Sequence, residues 1–406
     1  MLATVRSRFP ALSRTLDGRQ VAWLDGPGGT QTPRSVIDAM SGTLATGVSN
    51  LSPHFAPGRD AIAITDTARS AMADLLGAEH PSEVVFGQNM TSLTFSASRA
   101  IARTWHKGDE VIVTTLDHDA NVTPWMLAAR DTGAVVRRWG VHDDGTLDLD
   151  DLDRSLSKRT RLVAVTAASN ALGTKVDVKE VTRRAHAAGA LVYVDAVHST
   201  PHRLLDVAGI GCDFLVCSAY KFFGPHTGIL YGRAALLEQI DAYKVRPAPE
   251  EPPEKWETGT QSFESLAGVT AAVEYLASLA PLGTDHPRRS RLVAAYDWIG
   301  QHESDMARAF LEGIDATDAI HLWGIDRIED RVPTFAVTVD GVHPHEAATR
   351  LAEEGIFVWS GHYYALDIMD RLGLLGSGGA IRVGFVHYNT LEEVRRVLEA
   401  LAALTR

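Results

Sequence analysis

A chain of 406 residues with 45% hydrophobic and 22% charged side chains has ample material for a buried core, and its length suits a large domain plus a smaller one. Its formal net charge of -12 would repel a phosphate backbone, so nucleic acid is not an expected partner. No apolar stretch approaches the length of a membrane span, and the opening "MLATVRSRFPALSR" lacks the continuous apolar core of a signal peptide, so a cytoplasmic protein away from membranes is expected.

In chain order, apolar and β-branched runs begin at 83 ("EVVF"), 110 ("EVIVTT"), 134 ("AVVRRW"), 161 ("RLVAVT"), 191 ("LVYVD"), 213 ("DFLVCS") and 228 ("GILYG"). Stretches of helical period lie between several of them, at 91–105, 122–132 and 177–188. The alternation predicts a mostly parallel sheet covered by helices on both faces. After the proline-rich "KVRPAPEEPPEKWETGT" the pattern changes to long helices at 264–280 and from 288 to about 312. A smaller α+β unit follows, with strands "TFAVTVD" at 334, "GIFVWS" at 355 and "AIRVGF" at 380, and helices from about 344 and 390. The expected division is 1–20 as an N-terminal segment packing with the small domain, 21–263 as the large domain and 264–406 as the small one. Cys212 and Cys217, without histidine at zinc-site spacing, suggest neither a disulfide framework nor a metal site. Five apart on one expected strand, they should point to opposite faces as buried structural thiols.

Ligands gather at the carboxyl ends of strands in open sheets of this type, and the residues after five of the runs are strongly polar. They bring Thr91, His118, Asp119, Asn121, Asn170, Asp195, His198, Ser218, Tyr220 and Lys221 toward one crevice. A lysine at the end of a buried strand loses hydration if charged, so the pKa of Lys221 should fall and leave a nucleophilic amine. Asp195 ends the preceding strand, and the two could equally form a structural ion pair. "NMTS" at 89–92 opens a helix whose free backbone N–H groups suit an anion, or need only a capping residue. With the hydroxyls of Thr91, Ser218 and Tyr220 nearby, the set describes a phosphorylated aldehyde held by its tail and joined to Lys221 at its head.

The segments "WLDGPGGTQTP", "VVFGQNMTS", "DHDANVTPW", "SNALGT", "VYVDAVHS", "CSAYKFFGP", "WETGTQ" and "IRVGFVHYNTLEEV" are collinear with the class V branch of fold-type I pyridoxal phosphate enzymes. The chain most closely resembles its cysteine desulfurase-like group. That resemblance implies a large domain with a mostly parallel seven-stranded sheet, a smaller C-terminal α+β domain, and pyridoxal 5'-phosphate as cofactor. It makes Lys221 the lysine that joins the cofactor and shuttles protons, and Asp195 the partner of the ring nitrogen. Asn170 and His198 would bond the ring 3-oxygen, and the Met90 N–H with Thr91, Ser218 and Tyr220 would hold the phosphate. Thr260 resembles the threonine that reaches the neighbouring subunit's phosphate, which implies a homodimer, and Arg382 the arginine that grips a substrate carboxylate.

Two departures bear on the reaction. Related desulfurases set a ring-stacking histidine immediately before Ala-Asn, where this chain has Asp119, with His118 one residue earlier, so both are cofactor-binding candidates, and either His118 covers the ring or the stacking is made differently. Their persulfide-forming cysteine follows a Gly-His pair, whereas "WSGHYYALDIM" places Tyr364 there. Tyr363 and Tyr364 are expected to line the substrate pocket, with His54 and Phe55 of "SNLSPHF" at its mouth. The resulting expectation is a lyase that breaks the C–S bond of an S-substituted L-cysteine by β-elimination, giving a thiol, pyruvate and ammonia. Decarboxylation, alone or coupled to oxidative deamination, transamination, epimerisation and a catalytically silent cofactor-binding protein are the alternatives.

Overall fold

The computed structural model describes residues 2–404. Seven strands form the large sheet: β1 (Val84–Gly87), β2 (Glu110–Thr114), β3 (Val135–Trp139), β4 (Thr160–Thr166), β5 (Leu191–Asp195), β6 (Phe214–Ser218) and β7 (Gly228–Gly232). Their order is β1-β7-β6-β5-β4-β2-β3, and only β7 runs antiparallel to its neighbours. Each strand is one of the seven apolar runs, and the parallel α/β architecture expected from them is the one observed. Alternate residues feed two cores. Ile112, Val163, Val165, Val192, Val194 and Leu215 face one side, while Val111, Val113, Leu162, Ala164, Tyr193 and Val216 face the other.

Helices α1 (Arg34–Thr46) and α2 (Ala56–Leu76), absent from the sequence expectation, precede the sheet. Helices α3 (Met90–Ala102), α4 (Thr123–Thr132) and α5 (Val178–Ala187) lie close to the predicted positions. Cys212 stands before β6 begins, so the two-residue alternation does not reach it. Both cysteines therefore enter the same core instead of opposite faces.

Two longer helices follow, α6 (Phe263–Ala277) and α7 (Arg288–Asp315). The apolar residues of α6 and of the first half of α7 (Leu292, Ala295, Tyr296 and Ile299) join the large core, whereas Met306, Phe310 and Ile314 join a separate one. That second core lies under an antiparallel sheet of β8 (Ile320–Trp323), β9 (Thr334–Val339), β10 (Trp359–Gly361) and β11 (Ala380–Gly384), in the order β8-β9-β11-β10. Helices α8 (Pro344–Glu353) and α9 (Leu391–Ala403) complete it. The run "GIFVWS" is not one strand. Residues 356–357 pair in parallel with 22–23, and β10 pairs antiparallel with β11.

The first residues bridge the two cores. Arg6 bonds the Tyr388 carbonyl at 2.7 Å and Glu393 at 3.1 Å, and the Phe9 ring packs edge-on against Tyr388, Tyr275 and Phe223. Further on, a parallel bridge between Asp25 and Gly384 lays the N-terminal chain beside β11. That contact brings residues 25–28 to the sheet ends.

Candidate active site

Register decides which side chains meet. Thr166 pairs with Asp195 and Asp195 with Val216, so the carboxyl ends of β4, β5 and β6 lie side by side. Above them is a cavity of about 600 Å³, closed by Asp25, Pro27 and Gly28 from the N-terminal chain and by Trp359, Tyr363, Tyr364 and Arg382 from the smaller unit.

After Ser218 a single 3-10 turn, Ala219–Lys221, carries the chain across the end of β6. Phe222 and Phe223 beyond it are fully buried, and Phe223 is held at φ 72° with its N–H on the Thr30 hydroxyl at 2.8 Å. A phenylalanine in the left-handed region is costly, and here ring packing and the hydrogen bond hold it. The turn is thereby fixed, and Lys221 projects into the cavity. Its Nζ donates to the Pro27 carbonyl and lies 4.6 Å from the centre of the Tyr220 ring. Burial, aided by the Arg382 charge, lowers its pKa to about 7 against the pull of Asp25 and Asp195. A large share of the amine is therefore neutral near pH 7.

Asp195 accepts the Val197 N–H at 2.8 Å, and burial raises its pKa to about 6, with Lys221 opposing the rise. The carboxylate still predominates at neutral pH. A neighbouring buried acid, Asp117, was not singled out in the sequence. It accepts from the Thr114 hydroxyl, from Asn121 Nδ2 at 2.7 Å and from the Thr166 N–H at 3.1 Å, so it ties the end of β2 to that of β4. Burial above all raises its pKa to about 8.

At the other end of the cavity α3 begins. Asn89 caps it by accepting the Ser92 N–H at 2.9 Å, and the Met90 N–H meets Ser218 Oγ at 2.9 Å, with exposed Thr91 alongside. Strand β7 can approach because position 228 is glycine: a Cβ there would lie 2.4 Å from the Asn89 carbonyl carbon.

Arg382 sits inside β11 between Ala336 and Trp359. Its guanidinium pairs with Asp25 at 3.0 Å, reaches the Asn170 carbonyl at 3.2 Å and lies over the Tyr363 ring at 4.7 Å. Two buried polar atoms have no hydrogen-bond partner here, Arg382 Nε and Asn170 Oδ1, although Asn170 Nδ2 bonds the Tyr363 carbonyl at 2.9 Å. His198 bonds the Thr334 hydroxyl at 2.9 Å, and burial holds its pKa well below the ordinary histidine value.

Of the two residues before Ala-Asn, His118 lines the cavity and Asp119 does not. The His118 ring stacks on Tyr364, with centroids 5.5 Å apart and planes inclined by 16°, and burial lowers its pKa to about 4. Asp119 instead accepts the Thr123 hydroxyl at 2.8 Å at the start of α4, and its N–H donates to the Tyr364 carbonyl at 2.7 Å. Thr260, His54 and Phe55 are exposed and border no part of the cavity of their own chain. Conversely, Asp25, Pro27, Thr166, Trp359 and His226 line it without having been singled out. Their partners come from segments far apart in sequence. Neither cysteine lines the cavity, and burial raises both thiols to about 12.

The residues fit pyridoxal phosphate in three places. Helix-terminal N–H groups and hydroxyls suit a phosphate, an amine with a large neutral share suits an aldehyde, and a buried carboxylate suits a ring nitrogen. The unpartnered Asn170 Oδ1 is consistent with a further polar contact to a ligand.

Fold and site together define a fold-type I pyridoxal phosphate enzyme. The sequence model of the aminotransferase class V family matches residues 22–397. The chain belongs to that family, within its cysteine desulfurase-like group, and uses pyridoxal 5'-phosphate. A probable cysteine desulfurase of Mycobacterium leprae is 32% identical, the alignment covering 98% of this chain and 95% of the relative. A probable cysteine desulfurase of Pseudomonas aeruginosa is 31% identical, covering 98% and 96%. The apo cysteine desulfurase of Thermococcus onnurineus superposes with a TM-score of 0.87 at 27% identity, covering 99% and 98%. The cysteine desulfurase CsdA of Escherichia coli does so with 0.84 at 26% and the same coverage. Among the described residues no helix is long and apolar enough to cross a membrane, and no cluster of histidine, cysteine and acidic side chains could hold a metal.

Proposed function

We propose that this enzyme cleaves the C–S bond of an S-substituted L-cysteine by β-elimination, giving a thiol, pyruvate and ammonia. The observation that carries the reading is Tyr364. Its ring lines the cavity from the loop in which, by the sequence resemblance, a desulfurase of this group would present a thiol, and both cysteines are buried outside the cavity. Bound pyridoxal phosphate supplies an aldehyde for attachment of an amine and a sink for the electrons of a bond broken at Cα.

The chain's own groups divide the remaining work. Met90 N–H, Thr91, Ser218 and Tyr220 would anchor the phosphate, Asp195 would keep a proton on the ring nitrogen, and Asn170 and His198 would bond the ring oxygen. Arg382 receives the substrate carboxylate, its plane fixed by Asp25 on one edge and by the Tyr363 ring beneath. Neutral Lys221 Nζ takes the proton from Cα, and a thiolate leaves Cβ. The released enamine reacts with water to give pyruvate and ammonia. His118, Tyr364 and Trp359 offer aromatic surface at the mouth for the group carried on sulfur, and they limit water at the reacting carbon.

We further infer a homodimer, in which exposed Thr260 reaches the other subunit's cofactor and exposed His54 and Phe55 sit at the other subunit's pocket mouth. A second reading, removal of sulfur from cysteine itself to leave alanine, is favoured by the names of the relatives. Holoenzyme given S-benzyl-L-cysteine and, separately, L-cysteine distinguishes the two. Pyruvate with benzyl thiol is expected from the first compound. Alanine and sulfane sulfur from the second, the sulfur read as sulfide after an added dithiol reductant has supplied two electrons per atom, with no pyruvate from either, would support the rival, and carbon dioxide without pyruvate would point to decarboxylation.

A further inference from the structure

A second cavity, of about 280 Å³, lies behind the catalytic one, where residues 202–203, the middle of α7 and the turn before β9 converge. Its lining includes Lys175, His202, Arg203, Glu303, Arg308 and Arg331. His202 Nδ1 and Glu303 Oε2 are 2.8 Å apart and almost fully buried. Arg331 is also buried, its terminal nitrogens bonded to the carbonyls of Ile325, Leu172 and Thr334.

Each of these three side chains nevertheless has one atom without a partner: His202 Nε2, Glu303 Oε1 and Arg331 Nε. All three residues are more than nine-tenths buried. Leaving such groups unpaired is costly, so each calls for a polar partner, water or ligand, and the three residues that carry them line one cavity, as Asn170 and Arg382 line the catalytic one. Around the same cavity the side chains of Lys175, Arg203 and Arg308 make no hydrogen bond or close ion pair among the described residues. Glu329, which also lines the cavity, and Asp330 favour the charge on Lys175, and Asp177 that on Arg203, yet burial lowers both pKa values, aided at Lys175 by Arg203.

The ligand must satisfy both kinds of group. Four cationic side chains call for anionic oxygens, whereas the free oxygen of Glu303 can only accept. With its Nδ1 proton held by Glu303, His202 presents Nε2 to a ligand O–H, or donates to the ligand once protonated beside an anion. A fully deprotonated oxyanion leaves Glu303 unsatisfied. We propose that this cavity is a binding site for a phosphate-type oxyanion that keeps an O–H, its oxygens taken by Lys175, Arg203, Arg308 and Arg331 and its hydroxyl by Glu303. The site adjoins the catalytic one, since the His202 ring meets the His198 ring edge-on at 5.4 Å. It is independent of which reaction the catalytic cavity performs.

The test is calorimetric titration at pH 7 with inorganic phosphate, using holoenzyme first reduced with borohydride so that the cofactor fills the catalytic cavity. One saturable site is expected. Because a hydrogen bond to a charged group contributes about 1.5–3 kcal/mol, Arg203→Gln and Lys175→Gln should each weaken binding roughly 10- to 100-fold. Arg308→Gln, at an exposed position that the fold does not need, should weaken it severalfold and guards against loss by misfolding. Sulfate carries no O–H at this pH and should bind at least about tenfold more weakly. Absence of a saturable site, binding indifferent to Arg203→Gln and Arg308→Gln, or equal affinity for sulfate would each overturn the assignment.

Discussion

Lys221 is an amine that the fold keeps at the boundary between charged and neutral. Its pKa in the folded chain, about 7, lies below the 10.5 of an unhindered lysine, so protons bind the unfolded state more tightly. The resulting penalty on apoprotein stability is complete below pH 7, shrinks as the pH rises from 7 toward 10.5, and vanishes above that. Lys221→Met should therefore stabilise the apoprotein by roughly 2–3 kcal/mol at pH 7, allowing for partial contact with cavity water, and by much less at pH 10. Urea unfolding of both proteins at the two pH values checks this, and an equal gain at both would contradict it. The same substitution removes the group proposed to take the α-proton, a role that contributes about 10²–10⁴-fold in rate. Tyr364 is the other residue with a separable role. Its ring is 67% exposed at the cavity mouth and stacked on His118. An aromatic pair contributes about 0.5–1.5 kcal/mol beyond area burial, so Tyr364→Ala should lower kcat/KM for S-benzyl-L-cysteine up to roughly tenfold. S-methyl-L-cysteine, too short to reach the ring, should lose little, and an equal loss on both would remove Tyr364 from substrate selection.

At the scale of elements, the end of the cavity proposed for the phosphate depends on β7 lying against the start of α3. Gly228→Ala would place a Cβ 2.4 Å from backbone, which no rotamer can relieve. Overpacking of this kind costs about 1–3 kcal/mol, and here it displaces the N–H groups that would meet the phosphate. Cofactor affinity, read from absorbance titration of the apoprotein, should fall by about tenfold or more while far-ultraviolet dichroism stays unchanged. Retained affinity would mean that α3 does not hold the phosphate. These strands were legible because β2, β6 and β7 are buried along their whole length and read as unbroken apolar runs. Other elements carried weaker marks. Helix α2 packs largely through alanines such as Ala61, Ala68 and Ala71, which leave no strong periodic signal, and β8 is a four-residue edge strand with only Ile320 fully buried. "GIFVWS" reads as one strand because both of its halves are apolar, and only tertiary pairing divides them. In "LDHDAN" the two aspartates look alike, yet Asp117 turns inward to bond Thr166 and Asn121 while Asp119 accepts the Thr123 hydroxyl at the start of α4. Asp25 falls within "WLDGPGGTQTP", but its partner Arg382 lies at the far end of the chain.

The whole molecule leaves an apolar face that its own cores do not cover. Ile37 and Leu44 lie two turns apart on one side of α1, and Val48, Leu51 and Phe55 continue the exposed series, with Leu44 62% and Phe55 46% exposed. Five large apolar side chains within so short a segment mark an interaction surface. The segment ends at His54 and Phe55, and Thr260 is exposed as well. The proposed homodimer gives both features one explanation: the apolar face is buried between subunits, and each subunit lends polar and aromatic groups to the other's cavity. Light scattering should then give twice the 43.9 kDa of the chain. Leu44→Asp combined with Phe55→Asp places two charges in the interface and should yield monomers, since an unpaired buried charge costs several kcal/mol. Those monomers should still bind the cofactor at Lys221, as borohydride labelling would report, but with weaker affinity because Thr260 of the second chain is gone. Thr260→Ala in the dimer should reproduce that loss alone, about fivefold for one hydrogen bond of about 1 kcal/mol. A wild-type chain that is monomeric and fully active would refute the shared site, and a dimer in which Thr260→Ala leaves cofactor affinity unchanged would keep the interface but remove Thr260 from it.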